Sequence, residues 1–285
     1  MKKIVIILIS ILLFIGIFEI WKIYNINQKQ VAVLVYHDIV ENDELKAKNR
    51  DNLTTTDFEE QVKYLKDVGY TSISLDELYD WKIGKSDIPE KSVVLTFDDG
   101  YYSFKYLVQP ILQKYDYKAA CFLIGNVTGE KTPEYHEGVY GTIGMDEVNN
   151  HIENVAYGSH TYNLHDEADD GKPMMYKKSL EDLRQDAKNF RNNLFDAKYL
   201  AYPFYTYSKD FVKSLEQENY KLAFAGEEEM ATKGIDNLTV PRISAIKDIN
   251  TFKEIFETNK FKNSLGNGLI RKVVKTLKRI IGLNG

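Results

Sequence analysis

Thr96-Phe97-Asp98-Asp99-Gly100 sets two carboxylates side by side where an apolar run ends. Each must shed water beside a like charge, which is costly unless the pair binds something. A metal ion removes the conflict, because one carboxylate can ligate it while the other stays free as a base. Gly100 permits the sharp turn that lets both side chains face one pocket. The competing reading is an Asp-Asp-Gly surface turn. Downstream, Gly158-Ser159-His160-Thr161-Tyr162-Asn163-Leu164-His165 supplies two imidazoles. His160 and His165 would lie on different faces of a helix, so they form no helical clip, but a strand end running into a loop can bring both rings together. Two histidines and one carboxylate make a facial triad with open positions for water and substrate. Taken alone, the spacing defaults to two unrelated surface histidines.

Two further groups sit where apolar runs stop. Tyr36-His37-Asp38 follows the first run; a lone histidine there is more often structural than catalytic. Ala201-Tyr202-Pro203-Phe204-Tyr205 leaves another run through a proline flanked by aromatics, and by itself reads equally as core. Cys121 is the one cysteine, so no intramolecular disulfide is possible. It lies in the apolar stretch from Ala119 to Ile124 and reads as a small buried hydrophobe, with nothing nearby to lower its pKa.

Strand-like and helix-like runs alternate around these groups. Strands are expected at Val31–Tyr36, Val93–Phe97, Ala119–Ile124, Val155–Tyr157, Tyr199–Tyr202 and Leu222–Ala225. Between them, Thr56–Glu59 and Ser74–Glu77 read as capping boxes opening helices. Further helices are expected at Tyr106–Tyr115 with Pro110 as a kink, from Ser179 to about Leu194, at Ser208–Asn219 and at Thr251–Thr258. Repeated βα units build a parallel sheet with helices outside it, closed as a barrel or open and doubly wound. In barrels, chemistry sits at the C-terminal ends of strands, where these polar residues fall. The nucleotide-binding glycine motifs are absent, and the Gly-rich stretch from Asn126 to Gly144 reads as a long loop near the mouth.

The 285 residues, 44% apolar and 28% charged, have ordinary globular composition. The net charge of −5 disfavours nucleic acid as a partner. Lys2 and Lys3 precede a run from Ile4 to Trp21 that is apolar except for Ser10, Gly16 and Glu19. Such a run is long enough to cross a bilayer and lacks a small-residue cleavage site. It reads as an uncleaved anchor, with a cleaved signal as the alternative. Positive-inside logic then sends the rest of the chain outside, leaving a cell-membrane protein with an extracytoplasmic catalytic domain, or a secreted one if the segment is removed. Near the other end, Leu269, Ile270, Val273, Val274, Leu277, Ile280 and Ile281 share one helical face opposite Arg271, Lys272, Lys275, Lys278 and Arg279. That basic amphipathic helix suits either an anionic membrane surface or packing on its own domain. The division expected is residues 1–29 as anchor and linker, 30–262 as the catalytic domain, and 263–285 as the C-terminal helix.

Together the chemistry-bearing residues resemble the polysaccharide deacetylase family, carbohydrate esterase family 4. Thr96-Phe97-Asp98-Asp99-Gly100 is similar to its first motif, the histidine pair to its second, and Ala201-Tyr202-Pro203-Phe204 to its third. Tyr36-His37-Asp38 resembles the poly-β-1,6-N-acetylglucosamine N-deacetylase branch. The resemblance implies a distorted (β/α)7 barrel in which Asp98 is the general base and His37 the general acid. It also implies that Asp99, His160 and His165 hold a divalent metal, zinc foremost, with cobalt, nickel or ferrous iron as alternatives. The substrate implied is an extracellular N-acetylated polysaccharide; a cell-wall glycan, or a non-catalytic glycan-binding role, is the alternative.

The chain departs from that pattern in two places. The usual Pro-Tyr-Gly stands here as Pro203-Phe204-Tyr205; a backbone oxyanion donor at Phe204 survives the change, while loss of the glycine alters the loop. The arginine that often pairs with the base is missing upstream of Pro203, and Arg242, in Val240-Pro241-Arg242-Ile243, is the candidate replacement, with a surface salt bridge as its other reading. Tyr101, Tyr102, Tyr202 and Tyr205 are candidates for stacking on sugar rings.

Overall fold

The apolar runs become strands because both faces of the sheet are covered, so nothing in them needs to alternate with polar residues. The computed structural model describes residues 29–49, 51–150 and 152–257, together with Phe14 and Phe18. Its strands are β1 (Ala32–Tyr36), β2 (Ile39–Val40), β3 (Leu53–Thr54), β4 (Thr71–Ser72), β5 (Ser92–Phe97), β6 (Ala119–Leu123), β7 (Val155–Ser159), β8 (Tyr199–Ala201), β9 (Leu222–Phe224) and β10 (Ile243–Ser244). Eight of them form one sheet in the order β10-β1-β5-β6-β7-β8-β9, with β4 paired to β5. Every pairing within it is parallel. Beyond β9, Phe224 makes a parallel bridge to Val240, on the segment that runs into β10. The sheet therefore curls back toward its own first strand. The result is an α/β half-barrel, consistent with the distorted barrel expected.

Along β1, Ala32, Leu34 and Tyr36 join an apolar cluster with the helical residues Phe58, Val62 and Leu65. Val33, with the preceding Val31, joins a second cluster containing Val94, Phe122, Ala201, Phe224 and Trp81. The second set comes from strands all round the curl and fills its interior. Each set follows the two-residue period of a strand.

Helices α1 (Asp43–Lys48), α2 (Thr55–Asp67), α3 (Leu75–Lys82), α4 (Gln109–Tyr115), α5 (Met145–Asn149), α6 (Leu180–Asn193), α7 (Lys209–Gln217) and α8 (Ile249–Glu257) complete the described fold. Ser74 caps α3 in the expected box with Glu77. For α2 the expected box at Thr56 and Glu59 does not form; Thr54 is the cap and accepts from the Asp57 N–H. Pairing of β3 with β2 holds Thr54 extended and moves the cap from Thr56 to Thr54. Pro110 does not kink a continuous helix either. It lies in the first turn of α4, where its missing N–H is not needed, and a π-helical turn at Phe104–Val108 precedes it. The basic C-terminal helix and, apart from Phe14 and Phe18, the apolar run of the N-terminal anchor lie outside the described residues; among those described, no helix is long and apolar enough to cross a membrane.

Candidate active site

The site is assembled where β1, β5, β7 and β8 end. The Asp98 N–H donates to the Tyr36 carbonyl at 3.0 Å, extending the β1–β5 ladder by one residue and carrying Asp98 into the interior. The chain then reverses through Asp99 and Gly100, with φ of 70° and 68°. A Cβ on Gly100 would stand 2.7 Å from the Leu123 Cδ2 atom on β6, so this turn needs glycine for space as well as conformation. Asp98 and Asp99 leave the turn toward different partners.

Asp99 faces the two histidines. The Nε2 atoms of His160 and His165 stand 3.3 and 3.1 Å from its Oδ1. That oxygen is buried and makes no contact with hydrogen-bond geometry. The three ligand atoms lie within 4.8 Å of one another. His160 Nδ1 is 2.8 Å from the Ala201 carbonyl, which can only accept, so Nδ1 carries the proton and the Nε2 lone pair is left for a ligand. Two nitrogen lone pairs and an orphaned carboxylate oxygen converging on one point fit a divalent cation. Burial alone would raise the Asp99 carboxyl, but the two imidazoles outweigh it and hold it well below the ordinary carboxylate range. For His165, burial works downward and the Asp99 carboxylate, working upward, prevails.

Positions five apart meet because the link between the histidines is pinned from behind. His160 N–H donates to Leu123 carbonyl at 2.7 Å, extending the β6–β7 pairing. Thr161 takes φ 71°, and the next two N–H groups, of Tyr162 and Asn163, donate to the two carboxylate oxygens of Asp186 on α6, each at 2.8 Å. Burial raises the Asp186 carboxyl to about 6, against the pull of those N–H groups. Asp186 belongs to none of the sequence motifs above. Its signal was present: Leu183, Asp186, Ala187 and Phe190 share the buried stripe of α6, and a carboxylate on an apolar stripe needs a reason.

Asp98 is held elsewhere. Arg242 Nη1 and Nη2 donate to its two oxygens, both at 2.7 Å, in a bidentate pair whose members are 0% and 2% exposed. The surface reading of Arg242 is thereby corrected. Burial would raise the Asp98 carboxyl; Arg242 above all, with His160 and His37 behind it, brings it below its ordinary value. Bidentate pairing uses one lone pair on each oxygen and leaves another free to accept a proton.

His37 follows β1. Its Nδ1 is buried without a hydrogen-bond partner, and its Nε2 lies 3.3 Å from the Tyr205 hydroxyl. Next to it, Asp38 accepts from Ser103 Oγ at 2.6 Å, and burial pushes its carboxyl up. Pro203, Phe204 and Tyr205 form a short 3-10 turn after β8, in which Phe204 and Tyr205 have φ of 57° and 61°. The Phe204 ring, 38% exposed, stacks on His165 with centroids 5.2 Å apart. Its N–H belongs to the opening of that turn, where backbone donors lack intrahelical acceptors. Asp99, Thr161, Phe204 and Tyr205 all take left-handed backbone here, a concentration of strain characteristic of sites.

Two of the sugar-stacking candidates are corrected. Tyr202 is fully buried, packs on Phe211, and donates its hydroxyl to the Leu238 carbonyl. It faces the core because it continues the strand alternation set by Ala201, which points to the interior of the curl. Tyr102 is also buried and ties down the long loop through the His136 and Val139 carbonyls. Tyr101 does line an open cleft of about 230 Å³ with Asp38, Tyr135 and Tyr140, the last 64% exposed. Cys121 is buried on β6, as expected.

Residues 85–223 match the family described as polysaccharide deacetylase. The poly-β-1,6-N-acetyl-D-glucosamine N-deacetylase of Staphylococcus aureus is 28% identical over 200 residues, covering 67% of this chain and 67% of that one. The fold is similar to that of the Streptococcus pyogenes deacetylase PplD, solved in complex with acetate, with a TM-score of 0.64 and 24% identity over 76% of this chain and 93% of that one. IcaB from Ammonifex degensii gives a TM-score of 0.64 and 22% identity over 80% of this chain and 95% of that one. With the motifs, the curled sheet and these relatives in agreement, residues 85–223 carry a polysaccharide deacetylase domain.

Proposed function

We propose that the protein is a hydrolase that removes N-acetyl groups from an extracellular polysaccharide of N-acetylglucosamine, of the poly-β-1,6-linked type named for its Staphylococcus aureus relative. One observation carries this reading. A carboxylate–histidine–histidine triad lies beside a second carboxylate that Arg242 keeps out of the triad and ionised. A sugar-binding module would need no such division.

Asp99, His160 and His165 would hold the divalent metal, with zinc as the first candidate. When bound, such an ion acts as a Lewis acid that acidifies water and polarises an acyl oxygen. The chain's own groups do the rest. Asp98, aimed by Arg242, takes a proton from the attacking water. The Phe204 N–H donates to the oxygen that gains charge as the acetyl carbon becomes tetrahedral. His37 passes a proton to the nitrogen as the C–N bond breaks, so the products are acetate and a free amine on the sugar. Phe204 and His165 form an apolar wall beside the acetyl position, and the cleft lined by Tyr101 and Tyr140 offers aromatic faces to a neighbouring sugar ring.

The Lys2-Lys3 start and the apolar run to Trp21 support a location outside the membrane with the chain anchored through that run. The basic face of the C-terminal segment supports a second membrane contact. Added protease should digest the catalytic residues on intact cells; full protection would refute this topology. For the activity, the protein is incubated with a panel of acetylated glycans, with and without a chelator, and free acetate and new amines are assayed. Release from poly-N-acetylglucosamine that the chelator stops and added zinc restores is expected. Release from peptidoglycan alone would move the substrate to the cell wall, and no release from any glycan would remove the catalytic reading.

A further inference from the structure

The third-motif turn carries a tyrosine where a glycine is usual, and that side chain does not point into solvent. The Tyr205 hydroxyl meets Nε2 of His37 at 3.3 Å, and the two rings pack edge to face with centroids 5.8 Å apart. On its other side the Tyr205 ring lies 5.6 Å from the Arg242 guanidinium, the group that clamps Asp98. Because His37 Nδ1 has no partner, the Tyr205 hydroxyl is the one side-chain hydrogen bond to that imidazole among the described residues.

The position is built rather than incidental. Tyr205 keeps the left-handed backbone a glycine would adopt, with φ 61°, a conformation that is strained for a bulky residue. Its carbonyl accepts from the Gly226 N–H at 3.0 Å. A Cβ on Gly226 would lie 2.4 Å from the Tyr205 Cβ, so the room this side chain occupies exists because residue 226 has none.

From this geometry we propose that Tyr205 is a positioning residue for the proton-delivery step: it holds the His37 imidazole with Nε2 directed into the site and braces it against the Arg242–Asp98 pair. The inference rests on the reading of His37 as the acid. Burial, with Asp98 nearby, holds the Tyr205 phenol above its ordinary range, so the hydroxyl remains protonated. At 3.3 Å its oxygen shares the Nε2–H of the imidazolium with the leaving nitrogen in a bifurcated contact, and its hydroxyl donates to Nε2 once that proton has gone to the nitrogen. The same hydrogen bond therefore survives both states of the ring.

The test exploits the leaving group. An amine departing from an N-acetyl sugar needs a proton, whereas 4-nitrophenolate departing from 4-nitrophenyl acetate does not. Chelator-sensitive turnover of an N-acetylglucosamine oligomer and of 4-nitrophenyl acetate is compared for wild type, Tyr205→Phe, Gly226→Ala and His37→Ala, with bound metal measured in each. Tyr205→Phe keeps the ring and loses one hydrogen bond, so kcat on the oligomer should fall about five- to tenfold. KM, bound metal and aryl ester turnover should change less than about twofold on the same grounds. Gly226→Ala, which displaces Tyr205 without altering it, should show the same selective loss. Equal losses on both substrates, or none on either, would overturn the inference. His37→Ala separates this from the reading beneath it. If His37→Ala is selective for the amide and Tyr205→Phe is not, only Tyr205 is misassigned; if His37→Ala spares the amide, His37 is not the acid and both fall.

Discussion

The two ends of the curled sheet each bury a cation, and they treat it differently. At the end where strands finish, Arg242 sits against a carboxylate with two hydrogen bonds of 2.7 Å and no solvent. At the end where they begin, near the Val31–Ala231 pairing, Lys82 of α3 is 7% exposed and donates only to the Thr232 and Ile235 carbonyls, each at 2.8 Å. Burial lowers the Lys82 ammonium to about 8, with Asp236 opposing. The first end is a site, with left-handed backbone and opposed charges. The second is a seal, closed by the Trp81 ring and neutral acceptors. A full countercharge is spent where an acid must stay ionised, and dipoles suffice where a side chain only plugs a gap.

The comparison is tested most severely at Asp98. Asp98→Asn retains the shape but not the base, so turnover should drop by about 10³-fold or more while bound metal is kept. His160→Ala should lose both, and a fully active Asp98→Asn would show that the site end is merely structural. Arg242→Met strands a buried carboxylate, which should lower unfolding free energy by about 3–5 kcal/mol in urea titrations. Its acid limb of activity should also move to higher pH, because the charge that depresses the Asp98 carboxyl is gone. An unchanged limb would mean that Arg242 does not tune the base. Asp186→Ala leaves the Tyr162 and Asn163 N–H groups without their acceptor and frees the link between His160 and His165. A stability loss of about 1–3 kcal/mol is expected, with metal affinity reduced about 10- to 100-fold in competition titrations.

The smallest effect belongs to the sealed end. The folded-state pKa of Lys82 lies below its unfolded value, so from about pH 8 upward the folded chain releases its proton while the unfolded chain still holds one. Unfolding free energy of wild type should therefore rise relative to Lys82→Met by about 1 kcal/mol per pH unit between pH 8 and 10. A flat difference would mean that Lys82 is solvated and the two ends are not the contrast described.

Much of the site was legible because its parts are local. A carboxylate pair closing an apolar run is an electrostatic conflict on paper and remains one in the fold. The strand ends that carry His37, Asp98 and His160 follow from runs too apolar to be anything but doubly covered. Tyr202 was misjudged because it looks identical in sequence whether the chain after β8 turns its ring toward the mouth or toward Phe211. Asp186 was passed over because a charged residue on a helix is ordinary until its face is known to be buried.

Sequence by itself determined the alternation of strands and helices, the glycine at position 100, and the residue types able to hold a cation and move a proton. Those are set by short-range periodicity, sterics and intrinsic chemistry. Only the tertiary structure decided which partners met: Arg242 with Asp98, Asp186 behind the histidine link, Tyr205 against His37 in the space left by Gly226. Each of these contacts spans tens of residues or more, and the curl of the sheet brings them together with no local signal required.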